Sequence, residues 1–171
     1  READVLLGTQ MVTKGHDFPD VTLVGVLLAD MSMYMDDYHA NERTFSMLTQ
    51  VIGRAGRAGK RGVAVIQTNN PDNDTIRLAC RQDYEAFYER EVRLRQLLVF
   101  PPFCDIALLT LSHRNEQTLF TGAKRLADML KEEIAGAFSD VKLLAFGPFE
   151  APIYRAEGRY RMRLVIKCAL N

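Results

Sequence analysis

The chain of 171 residues has only three cysteines, Cys80, Cys104 and Cys168, and no two of them form a CxxC pair. That scatter excludes a disulfide framework, argues against a zinc site and suits a reducing compartment. No apolar run approaches the roughly 20 residues of a membrane-spanning helix, and the first residues carry no signal-peptide pattern. Net charge is also absent, with 22 basic against 22 acidic side chains, so any charged binding surface has to be local. A GxxxxGK[ST] phosphate loop is missing. Gly59-Lys60 is followed by Arg61 rather than Ser or Thr, and position 54 is Arg rather than Gly. Hydrophobic residues make up 47% and charged residues 26%, enough for a real core and against disorder. The length allows one or two domains.

The stretch GTQMVTKGHDFPD, residues 8–20, lies between two continuous apolar runs at residues 4–7 and 21–28. Runs that do not alternate suit strands covered on both faces, as in a parallel sheet flanked by helices. Ligands of such sheets bind at the carboxyl ends of strands. Thr9, Gln10, Lys14, His16 and Asp17 would then line a crevice, with Gly8 and Gly15 permitting the backbone shape. The alternative is a surface loop with solvated charges.

Further along, residues 31–41 are rich in Met, Tyr, Asp and His and show no clear period. Phe45, Leu48, Val51 and Ile52 share one face of a helix expected over residues 42–52. A Gly/Arg-rich segment follows at 53–62, then a third buried strand at 63–68, a turn at 69–73 and a helical pattern over residues 75–98. Phe100-Pro101-Pro102-Phe103 is stiff punctuation and marks an expected domain boundary between residues 98 and 99. Beyond it, a strand at 106–111, a helix at 117–138 and a strand at 141–146, ended by Gly147-Pro148, are expected. In a last strand, 159–167, Tyr160, Met162, Leu164 and Ile166 share one face, and Arg159, Arg161, Arg163, Val165 and Lys167 the other. That alternation predicts one buried face and one wet, basic face. Because the chain starts at Arg1 just before a strand-like run and stops just after another, it is expected to be a piece of a longer protein.

The segment QVIGRAGRAG, residues 50–59, carries the strongest signal. Two arginines three apart between glycines can point the same way, and guanidinium forks suit phosphate oxygens. Phosphoryl transfer needs positive charge where the γ-phosphate grows more negative, and an arginine finger there is worth roughly 10³- to 10⁵-fold in rate. The alternative is a basic turn between helix and strand.

The order QxxGRxGR resembles motif VI of superfamily 2 helicases. The segments GTQMVTKGHDFPDVTLVGVLLAD, QVIGRAGRAGKRGVAVIQTNNPD, DYEAFYEREVRLRQLLVFPPF and GPFEAPIYRAEGRYRMRLVIK resemble, in that order, the family of primosomal replication-restart DNA helicases. The resemblance covers nearly the whole chain. It implies an α/β fold: a partial RecA-like helicase lobe of the P-loop NTPase kind with a linker helix at residues 1–98, then a small α+β C-terminal DNA- and partner-binding domain at 99–171. It implies that Gln50, Arg54 and Arg57 reach the phosphates of ATP, with Arg57 as finger and Arg54 as its partner. Gly15 and Asp17 would lie near the nucleotide, and Thr9, Gln10 and Lys14 at the DNA backbone, with His16 bracing the loop. The cofactors implied are ATP and Mg²⁺, with zinc held by a segment this chain lacks and no metal ligand here. With no phosphate loop and no DExH box, the chain alone is expected to be inactive as an ATPase.

For the C-terminal domain the resemblance implies DNA binding and capture of the acidic tail of single-stranded DNA-binding protein, with Arg159 and Arg163 as candidate contacts. The family often has a polar amide where Arg163 stands. Phosphate binding by the same face, a solvated edge strand defended by charge, and base stacking or plain packing by Tyr154 and Tyr160 remain alternatives. The implied function is 3′–5′ unwinding at stalled forks with loading of other primosome proteins, on forked and single-stranded DNA, in the bacterial cytoplasm near the nucleoid and away from any membrane. Alternatives are another superfamily 2 translocase and a non-catalytic adaptor derived from a helicase.

Overall fold

The structure, a computed structural model, describes residues 4–9, 20–35, 37–56 and 61–169. The chain divides into two compact units, residues 1–90 and 91–171. In the first, β1 (Leu23–Val26) and β2 (Val63–Ile66) pair in parallel, Leu23 opposite Val63 and Val26 opposite Ile66. Between them lie a 3-10 helix (Ala29–Tyr34) and α1 (Ala40–Ile52). Phe45, Leu48 and Val51 are buried, as the helical spacing predicts. Phe45 stacks on Phe87 at 4.1 Å between centroids, and both join Ala29, Leu48, Ile76 and Ala79 in one core, with Val26 and Ile66 packed against it. Each such large apolar side chain contributes about 1.5–3 kcal/mol by leaving water.

Three expectations fail here for physical reasons. Residues 4–9 form no strand, and Leu7 is 85% exposed. The strands β1 and β2 are covered on one face only among the described residues: Leu23, Val63 and Val65 are exposed while the alternate positions are half-buried. The single helix expected over 75–98 is two, α2 (Asp74–Arg81) and α3 (Tyr84–Leu97). Gln82 takes a left-handed conformation (φ 54°), and its amide donates to the Ala79 carbonyl at 3.0 Å, closing α2. Asp83 Oδ1 then accepts from the Ala86 amide at 3.1 Å and starts α3. The start of α2 is capped by the Asn73 side chain, which accepts from the Thr75 amide at 2.9 Å.

The second unit holds β3 (Cys104–His113), α4 (Glu116–Ala135), β4 (Leu143–Ala156) and β5 (Arg159–Ala169). The sheet is antiparallel in the order β3-β5-β4. Leu119 and Ala123 of α4 pack on Met162, Leu111, Tyr154 and Tyr160 on one sheet face. The basic strand β5 is therefore central, which overturns the edge-strand alternative. Gly147-Pro148 does not end β4. A bulge between Phe146 and Phe149 absorbs both residues. Gly147 has φ +111°, and a Cβ there would meet the Arg163 carbonyl oxygen at 2.8 Å, so the bulge requires glycine. The fold is mixed α/β, and no helix among the described residues is long and apolar enough to cross a membrane.

Candidate functional site

In the first unit two of the residues expected at the nucleotide, Gln50 and Arg54, lie at the end of α1. Gln50 is exposed on its last turn, with its amide 3.5 Å from Ser46 Oγ. The helix ends at Gly53, whose amide donates to the Thr49 carbonyl at 3.0 Å. Arg54, half-buried, follows in a turn where its amide donates to Val51 O at 3.1 Å. The turn is pinned to the sheet, since the Gly56 amide donates to the Val21 carbonyl at 3.0 Å, with Gly56 at φ 76°. Gln50 and Arg54 stand one helical turn apart, so an amide and a guanidinium are offered at one helix end, a donor set suited to phosphate oxygens. Thr9 is exposed on an irregular segment. Gln10, Lys14, Gly15, His16, Asp17 and Arg57 lie outside the described residues.

A buried carboxylate, Asp30, was not singled out by its sequence context. It follows β1, and its Oδ1 accepts from the Thr68 hydroxyl and its Oδ2 from the Asn69 amide at 2.7 Å, beyond the end of β2. These two donors, the hydroxyl first, hold its pKa below the usual carboxylate value. The group ties together the loops that leave the carboxyl ends of both strands.

In the second unit, β5 presents the expected arginines. Arg159 is exposed, and its Nε and Nη2 donate to Ser112 Oγ at 3.2 Å and Ser112 O at 3.0 Å, which orients the guanidinium over β3. Arg163 is half-buried. Its Nε is shielded from solvent and meets no acceptor among the described residues. Tyr154 and Tyr160 pack edge to face at 5.5 Å on the α4 side. Tyr154 OH donates to Glu116 Oε1 at 2.6 Å, and this bond leads in pushing the phenol pKa up to about 12. Arg155 lies 5.1 Å from the Tyr160 ring centroid.

Lys167 does not belong to the wet face the alternation predicted. It is 9% exposed, its Nζ donates to the Leu98 carbonyl at 2.9 Å, and the ammonium sits 3.7 Å from the centroid of Phe100. The FPPF turn folds over the end of β5 and covers it. In the same unit, Arg95 Nη1 donates to the Pro101 carbonyl at 2.7 Å, and Arg95 Nε donates to Glu91 Oε1 at 3.4 Å. Phe146 and Phe149, also overlooked, are exposed beside the arginines. Their signal was hidden by the bulge between them.

Comparison with known proteins gives this geometry a lineage. Residues 96–171 match the family described as primosomal protein N C-terminal domain. The chain is 46% identical over 166 residues to the replication restart protein PriA of Bacillus subtilis, covering 97% of this chain and 20% of that protein. It is 38% identical over 165 residues to the PriA of Rickettsia felis, covering 96% of this chain and 24% of the relative. It is 35% identical over 167 residues to the PriA of Haemophilus influenzae, covering 97% and 22%. The chain thus spans between a fifth and a quarter of the length of these curated relatives.

Proposed function

We propose, from a chain homologous to the replication restart proteins PriA over nearly its whole length, that it is the C-terminal part of an ATP-dependent 3′–5′ DNA helicase that acts at stalled forks and starts primosome assembly. The first unit is then the later part of a RecA-like lobe. Gln50 and Arg54 bind phosphate oxygens, Arg57 supplies the arginine finger, and Gly15 and Asp17 lie at the nucleotide. Thr9, Gln10 and Lys14 hold DNA phosphates. ATP with Mg²⁺ supplies the free energy of its γ-phosphoryl transfer. This chain's part is to place fixed positive charge beside the leaving phosphates. Zinc, in this reading, is held elsewhere in the longer protein. The observation that carries the reading is the union of homology over nearly the whole of this chain with the pinned turn after α1, which sets Gln50 and Arg54 at one helix end.

The second unit is the DNA- and partner-binding part, with Arg159 and Arg163 as cations for the acidic tail of single-stranded DNA-binding protein. The test is DNA-stimulated ATPase of the longer protein, wild type beside Arg57→Ala. A loss of at least ~10³-fold with ATP binding retained supports the finger. Turnover near wild type removes Arg57 from that role. A wild type with no DNA-stimulated turnover favours the adaptor alternative.

A further inference from the structure

The segment between β1 and α1 holds large apolar side chains in solvent while its own frame is tied down. Tyr34 is 77% exposed and Met31 67%, and Leu27, Leu28 and Met35 are exposed beside them. The 3-10 helix that carries Met31 and Tyr34 is fixed on its inner side. Met33 packs against the first core. Asp30 accepts from the Thr68 hydroxyl and the Asn69 amide. Ser32 Oγ lies 2.7 Å from Thr44 Oγ1 of α1, and the Ala29 amide donates to the Gln67 carbonyl at 3.0 Å. Leu28 enters the helix in a left-handed conformation, φ 52°, a costly backbone for a side chain of that size. Residues three apart eclipse in a 3-10 helix, so Met31 and Tyr34 stand one above the other.

The charge beside this patch has one sign. Residues 27–42 contain four acidic side chains and no Lys or Arg. Residues 66–74, from the end of β2 through the turn that Asp30 holds against the segment, add Asp72 and Asp74 and again no Lys or Arg. Two ion pairs answer part of this charge, Arg43 Nη2 on Asp37 Oδ2 at 2.7 Å and Arg90 Nε on Asp74 Oδ2 at 3.2 Å, and the balance stays negative.

We propose that Leu27, Met31, Tyr34 and Met35 form a docking surface for a cationic amphipathic helix of another protein. The apolar stripe of such a helix covers Tyr34 and the methionines, and the Lys or Arg side chains that flank the stripe meet the carboxylates. Tyrosine and methionine are enriched at interface cores, and thioethers adapt to the shape of a partner. Strand addition needs a free ladder edge, which a 3-10 helix does not offer, so recognition runs through side chains. Nucleic acid does not fit, because a base stacked on Tyr34 would bring its phosphates against the carboxylates. The fixed frame leaves little ordering to be done on binding. The inference goes beyond the nucleotide and DNA roles proposed above. The patch follows the carboxyl end of β1, whereas the turn carrying Arg54 is bonded to Val21, ahead of its amino end.

The probe is a labelled peptide of leucine and lysine, about five helical turns long, with its leucines on one face. It is titrated into the 171-residue chain by fluorescence anisotropy, and amide NMR shifts locate its site. It is expected to bind, to shift the amides of residues 27–35 and 68–73, and to weaken as salt rises. Tyr34→Ser and Met31→Ser change exposed positions and leave the core intact. Each is expected to weaken the peptide about 10-fold or more. Versions with glutamate for lysine, or with serine for leucine, are expected not to bind. Failure of the leucine–lysine peptide to bind, equal binding of the glutamate version, shifts that gather elsewhere, or unchanged affinity in both serine variants would overturn the proposal. Self-association of the chain that disappears in Tyr34→Ser would assign the face to a second copy and sink it. Oligothymidylate shifting the same amides would assign the face to nucleic acid, with the same result. A longer protein that no longer takes the peptide would show the face covered by its own remaining part, and would also overturn docking of a partner.

Discussion

Substituting Lys167 tests whether a buried cation at the end of β5 stabilises the second unit or burdens it. The ammonium makes one hydrogen bond to the Leu98 carbonyl at 2.9 Å and lies against Phe100 at 3.7 Å, with Phe146 at 5.7 Å. A hydrogen bond from a charged donor is worth about 1.5–3 kcal/mol, and a desolvated cation–π contact up to about 2 kcal/mol. Against them stands the cost of withdrawing an ammonium from water, several kcal/mol for an isolated ion. Lys167 sits at 9% exposure, so part of its hydration is kept and the contacts outweigh the penalty. Lys167→Met keeps the stem, deletes the charge and leaves the Leu98 carbonyl without its donor. It should destabilise the second unit by about 2 kcal/mol, and Lys167→Ala by about 3 kcal/mol because stem packing goes too. With two units in the chain, a single global unfolding energy is not defined. Hydrogen exchange resolved to individual amides is the right assay. The amides of β5 should exchange about 30-fold faster in the Met variant, while those of α1 stay unchanged as an internal control. A Met variant as well protected as wild type, or better, would refute the reasoning and show that desolvation outweighs the contacts.

Leu48→Ala removes a fully buried side chain from the first core and should cost about 3 kcal/mol, read as faster exchange confined to α1 and α2. Gly147→Ala forces a side chain into a left-handed position against the Arg163 carbonyl. It should destabilise the β4–β5 pairing by about 2 kcal/mol or more, checked by exchange at Phe149 and Arg163. The Asp30 carboxyl has a lowered pKa, so its contribution is present above its unfolded value near 3.9 and lost as pH falls through the lower folded value. Asp30→Asn should abolish that acid limb in a pH series of first-unit stability. The Tyr154 phenol, raised to about 12 by Glu116, contributes below pH ~10 and loses its contribution as pH rises through about 12. Ultraviolet titration should show one late tyrosine that disappears in Tyr154→Phe.

Elements whose signal is periodic were legible in the sequence. The helix α1 follows from Phe45, Leu48 and Val51 three apart, and α4 from the run of Leu119 and Ala123, because a buried stripe repeats whatever the rest of the fold does. The break between α2 and α3 was not legible. Gln82 carries no helix-breaking chemistry, and its left-handed turn is held by main-chain bonds to Ala79 and Leu78 that arise only once α2 is docked. Lys167 was misplaced for a related reason. Alternation along β5 is real, but the cover over its end comes from residues 98–100, almost seventy positions away. Of the site, the turn carrying Gln50 and Arg54 was legible because its glycines and arginines are consecutive in the chain. Asp30 was not, since its donors Thr68 and Asn69 come from the far side of α1 and β2.

The open face of the second sheet shows most sharply how one residue changes what a sequence says. Continued without interruption past Phe146, a strand would turn Phe149 to the opposite side, because side chains alternate with a period of two. Gly147 and Pro148 argue for ending the strand altogether, and both arguments separate the two phenylalanines. The structure keeps the ladder and inserts one extra residue: Phe146 pairs with Val165, and Phe149 with Arg163, so three steps on β4 match two on β5. The parity is restored, and two rings and two arginines arrive on one surface. The proline costs little there because its missing N–H falls within the bulge, where the ladder is already interrupted. The glycine is required because the Arg163 carbonyl leaves no room for a Cβ. The Gly147-Pro148 pair that reads as punctuation is therefore what sets Phe149 beside Arg163, and the composition of the face depends on those two residues as much as on the ones that form it.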